Sequence, residues 1–514
     1  MVTFDFQNCL ILTFICLFTT LFIFVFVFFF TKPKNGIDLP PSPPSLPIIG
    51  HLHLLLTAPI HKCFHKISSK YGPFLHLRIF HVPVVLVSSA SVAYEIFKDH
   101  DMDVSFRGAV AIDECLVFGS FGLLRAPYGD YWKSIKKIIV TKGIGPQALE
   151  RSRDVRTVEL ERFYKNLLDK ATEKQSVDIG VEARRLVVNT LGKLSMGSSF
   201  SEGVSVSDFT VELAALSANF FVAQIFHKPL EKVGISLLKY QIMEVSHRFE
   251  EVLENILVKY EEKMDEHQGN EFMDALLAAY RDENAEYKIT RYHIKALFAE
   301  LFFGAGDTSS QTTQWAMAEI INNPKILERL REEIDFVVGK SRLLQETDLP
   351  KLPYLQAVIK ETLRLHPVAP VLSREFQQGC KIGFGGFYIP EGTSLVINAY
   401  AVMRDPEFWR DPNEFKPERF LEQEEEKRDK ALKFLAFGAG RRACPGSNLA
   451  SILVETAVGV MVQCFDWDIE GGKKVNIEEA SGLRFFLALA HPPKCTPLPR
   501  IINDLTSNMQ ISSS

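Results

Sequence analysis

The sequence predicts one large, mainly α-helical body with small β-sheets, carried on a single N-terminal transmembrane helix. Three observations lead there. An uncharged apolar run opens the chain, and a proline-rich stretch follows it. The remainder shows apolar residues mostly at three- and four-residue steps, with no second linker to divide it. Its 514 residues are 46% hydrophobic and 24% charged, enough for one sizeable core.

From Cys9 to Phe30 no residue is charged. As a helix this run spans roughly 33 Å, enough to cross a bilayer core. A cleaved signal peptide needs a basic n-region, a shorter apolar stretch and small residues at a cleavage site. Here the flank is MVTFDFQN, without Lys or Arg, and Phe28, Phe29 and Phe30 end the run. Lys32 and Lys34 follow at once, so the positive-inside rule keeps the rest of the chain in the cytosol. The organisation read from this is residues 1–8 lumenal, 9–30 anchor, 31–50 a basic and proline-rich hinge, and 51–514 the body. Repeated proline in LPPSPPSLPIIG favours a stiff, extended spacer that sets how the body leans on the membrane.

Within the body, His76 to Ser88 reads as a hairpin with Pro83 interrupting its β-branched run. Thr157–Lys174, Met243–His267 and Pro324–Val338 have helical periodicity. Ile289–Ile321 reads as one very long helix, apolar nearly all round at its centre, and therefore buried. The net charge is −5 and no long basic block occurs, which leaves nucleic-acid binding unsupported. The eight cysteines (Cys9, Cys16, Cys63, Cys115, Cys380, Cys444, Cys464 and Cys495) form no CxxC pair. No Asn-x-Ser/Thr acceptor occurs either, and both facts fit a reducing, cytosolic side.

The segment FGAGRRACPG, Phe437 to Gly446, carries the chemistry. Cys444 follows a glycine-rich loop and precedes a strong helical pattern, so it sits where unpaired N–H groups and the helix dipole stabilise a thiolate. Arg442 offers a fork of donors to a carboxylate. Gly438, Gly440 and Ala443 also fit GxGxxA, a dinucleotide fingerprint. Arg441, Arg442 and Pro445 suit that reading poorly, and the flanking βαβ pattern is missing.

The segment resembles the haem signature FxxGxRxCxG of the cytochrome P-450 family, at Phe437, Gly440, Arg442, Cys444 and Gly446. The resemblance is nearest to plant microsomal members and runs from the hinge to about Pro499. It implies the P-450 fold, with haem b between the long central helix and the cysteine loop, and Cys444 as ligand to the iron. Thiolate ligation pushes electron density onto iron and favours O–O cleavage. It also implies a buried Glu361–Arg364–Arg419 cluster, from KETLRLHP and PERF, with a structural role. In FFGAGDTSS, Asp307 and Thr308 are implied as the acid–alcohol pair that delivers protons to bound dioxygen. Ala305 stands where the family usually has Gly. Trp132 and Lys136 resemble a WxxxR motif that reaches a haem propionate, with Lys replacing Arg and Lys137 as a near alternative. Arg374 is implied as another propionate ligand.

The resemblance further implies a membrane-bound flavoprotein reductase bringing electrons from NADPH. It would dock near Cys444 on basic residues such as Lys433, Arg441 and Lys136 or Lys137. The substrate pocket is implied at Phe302, Phe303 and Ala305, at Val368, Ala369, Val371 and Leu372, and at Leu483, Arg484 and Phe485. That set is apolar except for Arg484, so the expected substrate is a hydrophobic, ring-bearing small molecule: triterpenoid, steroid-like or flavonoid-like. The expected reaction is insertion of one oxygen atom from O2, in a protein anchored once in the endoplasmic reticulum membrane with its catalytic body in the cytosol. Desaturation or rearrangement at the same haem, and a non-catalytic membrane-tethered haem protein, are the alternatives. The intact Cys444 and Asp307–Thr308 weigh against the last.

Overall fold

The structure, a computed structural model, describes residues 13–22, 38–80, 82–107, 122–124, 126–197, 239–262, 272–285, 287–383, 386–421, 434–469, 472, 474–482 and 486–500. Of the expected anchor, Thr13–Phe22 is helical, with Phe14, Leu17, Phe18, Leu21 and Phe22 exposed. The rest of the 9–30 span lies outside the described residues.

After the hinge come α1 (Ile60–Tyr71), β1 (Phe74–Ile79), β2 (Val82–Val87), α2 (Ala90–Asp99) and α3 (Asp130–Ile138). Then follow α4 (Arg153–Thr172), β3 (Val177–Asp178), α5 (Ile179–Met196), α6 (Lys239–Glu262), α7 (Phe272–Arg281), α8 (Arg291–Asn322), α9 (Pro324–Val337) and α10 (Pro353–Leu365). The C-terminal third adds β4 (Leu372–Glu375), β5 (Cys380–Ile382), β6 (Phe387–Ile389), β7 (Ser394–Ile397), α11 (Ser447–Cys464), β8 (Phe465–Ile469) and β9 (Lys494–Pro499). The architecture is mainly helical with three small sheets, ordered β1-β2-β7-β4, β3-β9-β8 and β5-β6.

The expected hairpin is present as β1 and β2, paired antiparallel from Phe74 opposite Val87 to Ile79 opposite Val82. Pro83 does not end β2. Its parallel partner β7 begins only at Ser394 opposite Val84, so the missing proline N–H falls beyond the shared ladder.

Helix α8 runs 32 residues, about 48 Å. Thr290 caps it, accepting from the His293 N–H at 3.4 Å. From Thr312 to Ile320 every residue is buried, so the helix has no solvent face there. Its C-terminal half packs with α4, α5, α9, α10 and α11 in one apolar cluster. Its N-terminal half packs with α5, α6, α7 and the start of α11 in another. Helix α11 is apolar and long enough to cross a membrane, but 72% of it is buried inside the protein, which makes it a core helix.

Candidate functional site

Two left-handed glycines shape the cysteine loop: Gly438 with φ 68° and Gly440 with φ 70°. A Cβ on Gly440 would lie 2.0 Å from an Asp101 oxygen, so the loop approaches the turn after α2 as closely as backbone can. The loop closes with the Cys444 N–H donating to the Phe437 carbonyl at 2.8 Å. Gly446 then starts α11, and its N–H hydrogen-bonds to the Cys444 sulfur. The thiol is reachable from solvent yet lies in a recess. Burial pushes its pKa up, while the Gly446 N–H and the Arg107 charge pull it down.

Three guanidiniums gather on this side, with Arg107 acting on the thiol and Arg374 and Arg442 both within reach of the Arg107 charge. Burial, followed by the charges of Arg107 and Arg442, lowers Arg374 to about 9. Burial, followed by Arg107, lowers Arg442 to about 10. Arg107 is lowered too, chiefly by burial, with Glu300 and Cys444 acting the other way. Its Nε is buried and has no hydrogen-bond partner among the described residues. Asp101, the acid that favours Arg374, is already paired with Arg441 at 2.7 Å. Like charges gathered this way, beside a thiol, fit an iron-bearing ligand that carries carboxylates.

Arg374 and Arg442 are legible in the sequence, but Arg107 stands alone in SFRG with no motif to mark it. The structure also spends Arg442 differently. Its nitrogens donate to the carbonyls of Ser105 at 2.8 Å, Leu123 at 3.1 Å and Ala126 at 2.5 Å. Its cation lies 4.7 Å over the Trp132 ring, whose own N–H donates to the Leu123 carbonyl at 2.9 Å. Lys136 covers the same ring at 4.8 Å and donates to the Arg441 carbonyl at 3.0 Å. Trp132 and Lys136 therefore brace the cysteine loop, and the Lys136 ammonium goes to backbone where the WxxxR resemblance implied a propionate. That bond uses one of the three ammonium donors. Arg441 is not a free surface charge, since Asp101 holds it. Lys433 lies outside the described residues.

Glu361, Arg364 and Arg419 come together as expected. Glu361 and Arg364 are fully buried and paired at 2.7 and 2.8 Å, and Arg419 Nε reaches Glu361 at 2.9 Å. Arg364 also donates to the carbonyls of Met403, Pro412 and Glu414, and the Lys416 N–H donates to Glu361. Among the described residues, these bonds go to α10 and the 403–416 stretch rather than to the cysteine loop.

On α8 the less buried residues Leu301, Gly304, Ala305 and Thr308 form one strip at helical spacing, while Phe303, also half-buried, lies on another face. A Cβ on Gly304 would meet nothing within 4 Å, whereas one on Gly306 would touch Val188 of α5. The strip is therefore the open face. Thr308 lies on it, its hydroxyl donating to the Gly304 carbonyl at 2.6 Å. Asp307 points away, to an ion pair with Arg184 of α5. Burial raises its pKa even against that cation. The acid and the alcohol thus sit side by side in sequence but on different faces.

The pocket residues divide in the same way. Phe302 is 1% exposed and packs with Phe298 in the core, so it leaves the expected lining. Its neighbour Phe303 meets Phe486 with ring centroids 5.8 Å apart. The Leu487 N–H donates to the Val368 carbonyl at 2.9 Å, joining the segment after α10 to the C-terminal turn. Ala369, Val371 and Leu372 are half-buried nearby in the chain, Val371 and Leu372 against the sheet cores. Ala305 is half-buried against the cluster that holds Phe302, so part of its methyl is absorbed by packing. Leu483, Arg484 and Phe485 lie outside the described residues. Phe486 was missed because an aromatic in a short loop carries no periodic signal.

Residues 40–495 match the family model for cytochrome P450. Cytochrome P450 705A1 of Arabidopsis thaliana is 61% identical, over 98% of this chain and 99% of that protein. The 3,9-dihydroxypterocarpan 6A-monooxygenase of Glycine max is 37% identical, over 95% and 97%. A zebra fish cytochrome P450 solved with abiraterone superposes with a TM-score of 0.72 at 25% identity, covering 86% of this chain and all of that one. With that match over nearly its whole body, this chain belongs to the cytochrome P450 family and is a haem b monooxygenase of the type plants use in specialised metabolism.

Proposed function

We propose that Cys444 is the thiolate ligand of the haem, and that the enzyme oxidises a hydrophobic, ring-bearing small molecule with electrons from NADPH through a separate reductase. The single observation that carries this is the Cys444 recess: a thiol backed by the Gly446 N–H and facing the Arg107 charge, with Arg374 and Arg442 gathered about Arg107. Haem b supplies the oxidising chemistry when bound, dividing O2 so that one atom enters the substrate and the other leaves as water. Cys380 is the poorer ligand. It opens a strand, no helix N-terminus follows it, and burial with the neighbouring Asp103 charge pushes its thiol up to about 11.

Residues of this chain then divide the remaining work. Arg107 and Arg374 offer positive charge to the propionates. Arg442, Trp132 and Lys136 hold the cysteine loop in place. Thr308 presents a hydroxyl on the open strip of α8, able to accept and pass a proton. Asp307, buried and tied to Arg184 on another face of α8, would have to leave that cation before it could pass a proton to Thr308. Phe303 and Phe486 offer apolar surface, and a charged ligand beside them would lose hydration without compensation. A triterpenoid, steroid-like or flavonoid-like substrate fits that lining. The soybean relative, whose name records a dihydroxylated pterocarpan, supports the flavonoid-like end. The apolar, exposed Thr13–Phe22 helix supports single-pass anchorage in the endoplasmic reticulum membrane with a cytosolic body.

The test combines ligand and substrate. Reduced, carbon-monoxide-treated protein should give the red-shifted Soret band of a thiolate-ligated haem. Cys444→Ser should lose it, and Cys380→Ser and Cys464→Ser should keep it. Microsomes with NADPH and reductase, given a panel of triterpenes, sterols and flavonoids, should yield a product one oxygen heavier. A persistent band in Cys444→Ser overturns the ligand. Conversion confined to sugar-conjugated or multiply charged compounds overturns the pocket.

A further inference from the structure

A second group of metal-ligating side chains lies away from the Cys444 recess. His100 caps the C-terminus of α2, and the chain turns so that the Val104 N–H donates to the His100 carbonyl at 3.2 Å. That turn puts His100 and Asp103 on one side, with His100 Nδ1 2.9 Å from an Asp103 oxygen. Facing them is Cys380 at the start of β5. One donor atom from each of the three lies within 4.8 Å of the other two. All three residues are half-buried, sheltered yet reachable from solvent.

The arrangement is held by bonds that do not use the donor atoms. The Gln377 N–H donates to the Asp103 carbonyl at 2.8 Å, and the Glu375 N–H to the Phe106 carbonyl at 2.9 Å. These pin the turn to the strand that leads into Cys380. Gln378 donates to the second Asp103 oxygen and orients the carboxylate. Gly379 lets the strand pass under Tyr388, since a Cβ there would lie 2.1 Å from its hydroxyl.

We propose that His100, Asp103 and Cys380 form a binding site for a divalent cation of the zinc class, with water as fourth ligand. The donor set decides the metal. Sulfur excludes calcium and magnesium, while imidazole, carboxylate and thiolate together are ordinary zinc ligands. Tetrahedral zinc with bonds of about 2.0–2.3 Å needs its ligand atoms about 3.3–3.7 Å apart. The His100–Asp103 hydrogen bond would open slightly and Cys380 would close in, both within side-chain reach. Binding releases the Cys380 proton to solvent, so zinc and proton compete.

The site sits on the strap that braces the cysteine loop. Asp101 holds Arg441, and the Ser105 carbonyl holds Arg442. A cation between His100 and Cys380 therefore clamps that strap to β5. The consequence is a metal-dependent stabilisation of the holoenzyme that does not pass through the haem.

The experiment uses the untagged, full-length holoenzyme in detergent, freed of metal by chelator and titrated with zinc chloride by calorimetry. One saturable site is expected. Outer-shell partners alone change metal affinity by about 10–100-fold, the effect expected for Gln378→Ala. Cys380→Ser and His100→Ala should each weaken binding by about a hundredfold or more. Zinc-edge X-ray absorption should show one sulfur at about 2.3 Å. The carbon-monoxide band should be unchanged in Cys380→Ser, which confirms an intact fold and separates this result from the haem assignment. No saturable binding, equal binding in Cys380→Ser, or a zinc shell without sulfur overturns the site.

Discussion

Replacing Glu361 tests whether the Glu361–Arg364–Arg419 cluster holds the fold as charge or merely as packing. Oε1 of Glu361 accepts from Arg364 Nη2 at 2.8 Å, Arg419 Nε at 2.9 Å and the Lys416 N–H at 2.8 Å, and Oε2 accepts from Arg364 Nε at 2.7 Å. Glu361→Gln keeps the three Oε1 bonds, loses the Oε2 bond and turns an amide donor toward the arginine. It also leaves the fully buried Arg364 without a counter-charge. A charge-assisted hydrogen bond is worth about 1.5–3 kcal/mol, and breaking a buried pair costs about 3–5 kcal/mol. Glu361→Gln should therefore cost about 3 kcal/mol, and Glu361→Ala, which strips all four acceptor contacts, about 5 kcal/mol. Urea unfolding followed by helicity and by the carbon-monoxide band reads both values. The two probes should lose signal together, since the cluster joins α10 to the chain before the cysteine loop. A cost below about 1 kcal/mol in both variants refutes the charged-cluster reasoning.

Thr308→Ala should leave haem content intact and cut product formation by ~10²–10⁴-fold, with reducing equivalents appearing as peroxide; unchanged coupling of NADPH to product counts against the relay. Glu455 on α11 is raised from 4.5 to about 7 by burial, so the folded state binds its proton more tightly than the unfolded one. Its ionisation penalty is absent below pH 4.5, grows as pH rises to 7 and is complete above that, on the order of 3 kcal/mol. Glu455→Gln should flatten this stretch of the stability–pH curve and stabilise the protein at pH 8; a curve parallel to wild type contradicts the assignment. Removing residues 1–31 should release the protein from membranes in carbonate, and retention in the pellet argues against the anchor.

Elements governed by local pattern were legible. The long helix was expected at 289–321 and is found at Arg291–Asn322, because a run with no polar face has one burial solution. The expected 157–174 helix is Arg153–Thr172, and the expected 324–338 helix is Pro324–Val337. The cysteine loop was legible because its glycines and thiol are fixed by local geometry. Direction was not. One position along a helix turns a side chain by about 100°, enough to send Phe302 into the core and Phe303 toward Phe486. The same turn separates Asp307 from Thr308. Partners distant in sequence were equally hidden: Arg184 lies 123 residues before Asp307, and no periodicity links them.

The arginines around Cys444 show why charge and donors must be counted separately. Arg442, the motif arginine, gives its nitrogens to three carbonyls of the 105–126 region, so its main work is to tie the cysteine loop to that region. What it offers to an anionic ligand is field, and that field is strong enough to help lower Arg374. Arg107 has the opposite balance. Among the described residues it donates only to the Arg442 carbonyl, at 3.2 Å, and its buried Nε has no partner there. A buried donor without an acceptor costs about 1–3 kcal/mol, a cost that a carboxylate at that place would remove. Burial raises the Cys444 thiol, and the same cation works against that rise. Arg107 thus favours both the thiolate and the propionate, and it links the two charges by which this chain would hold its haem.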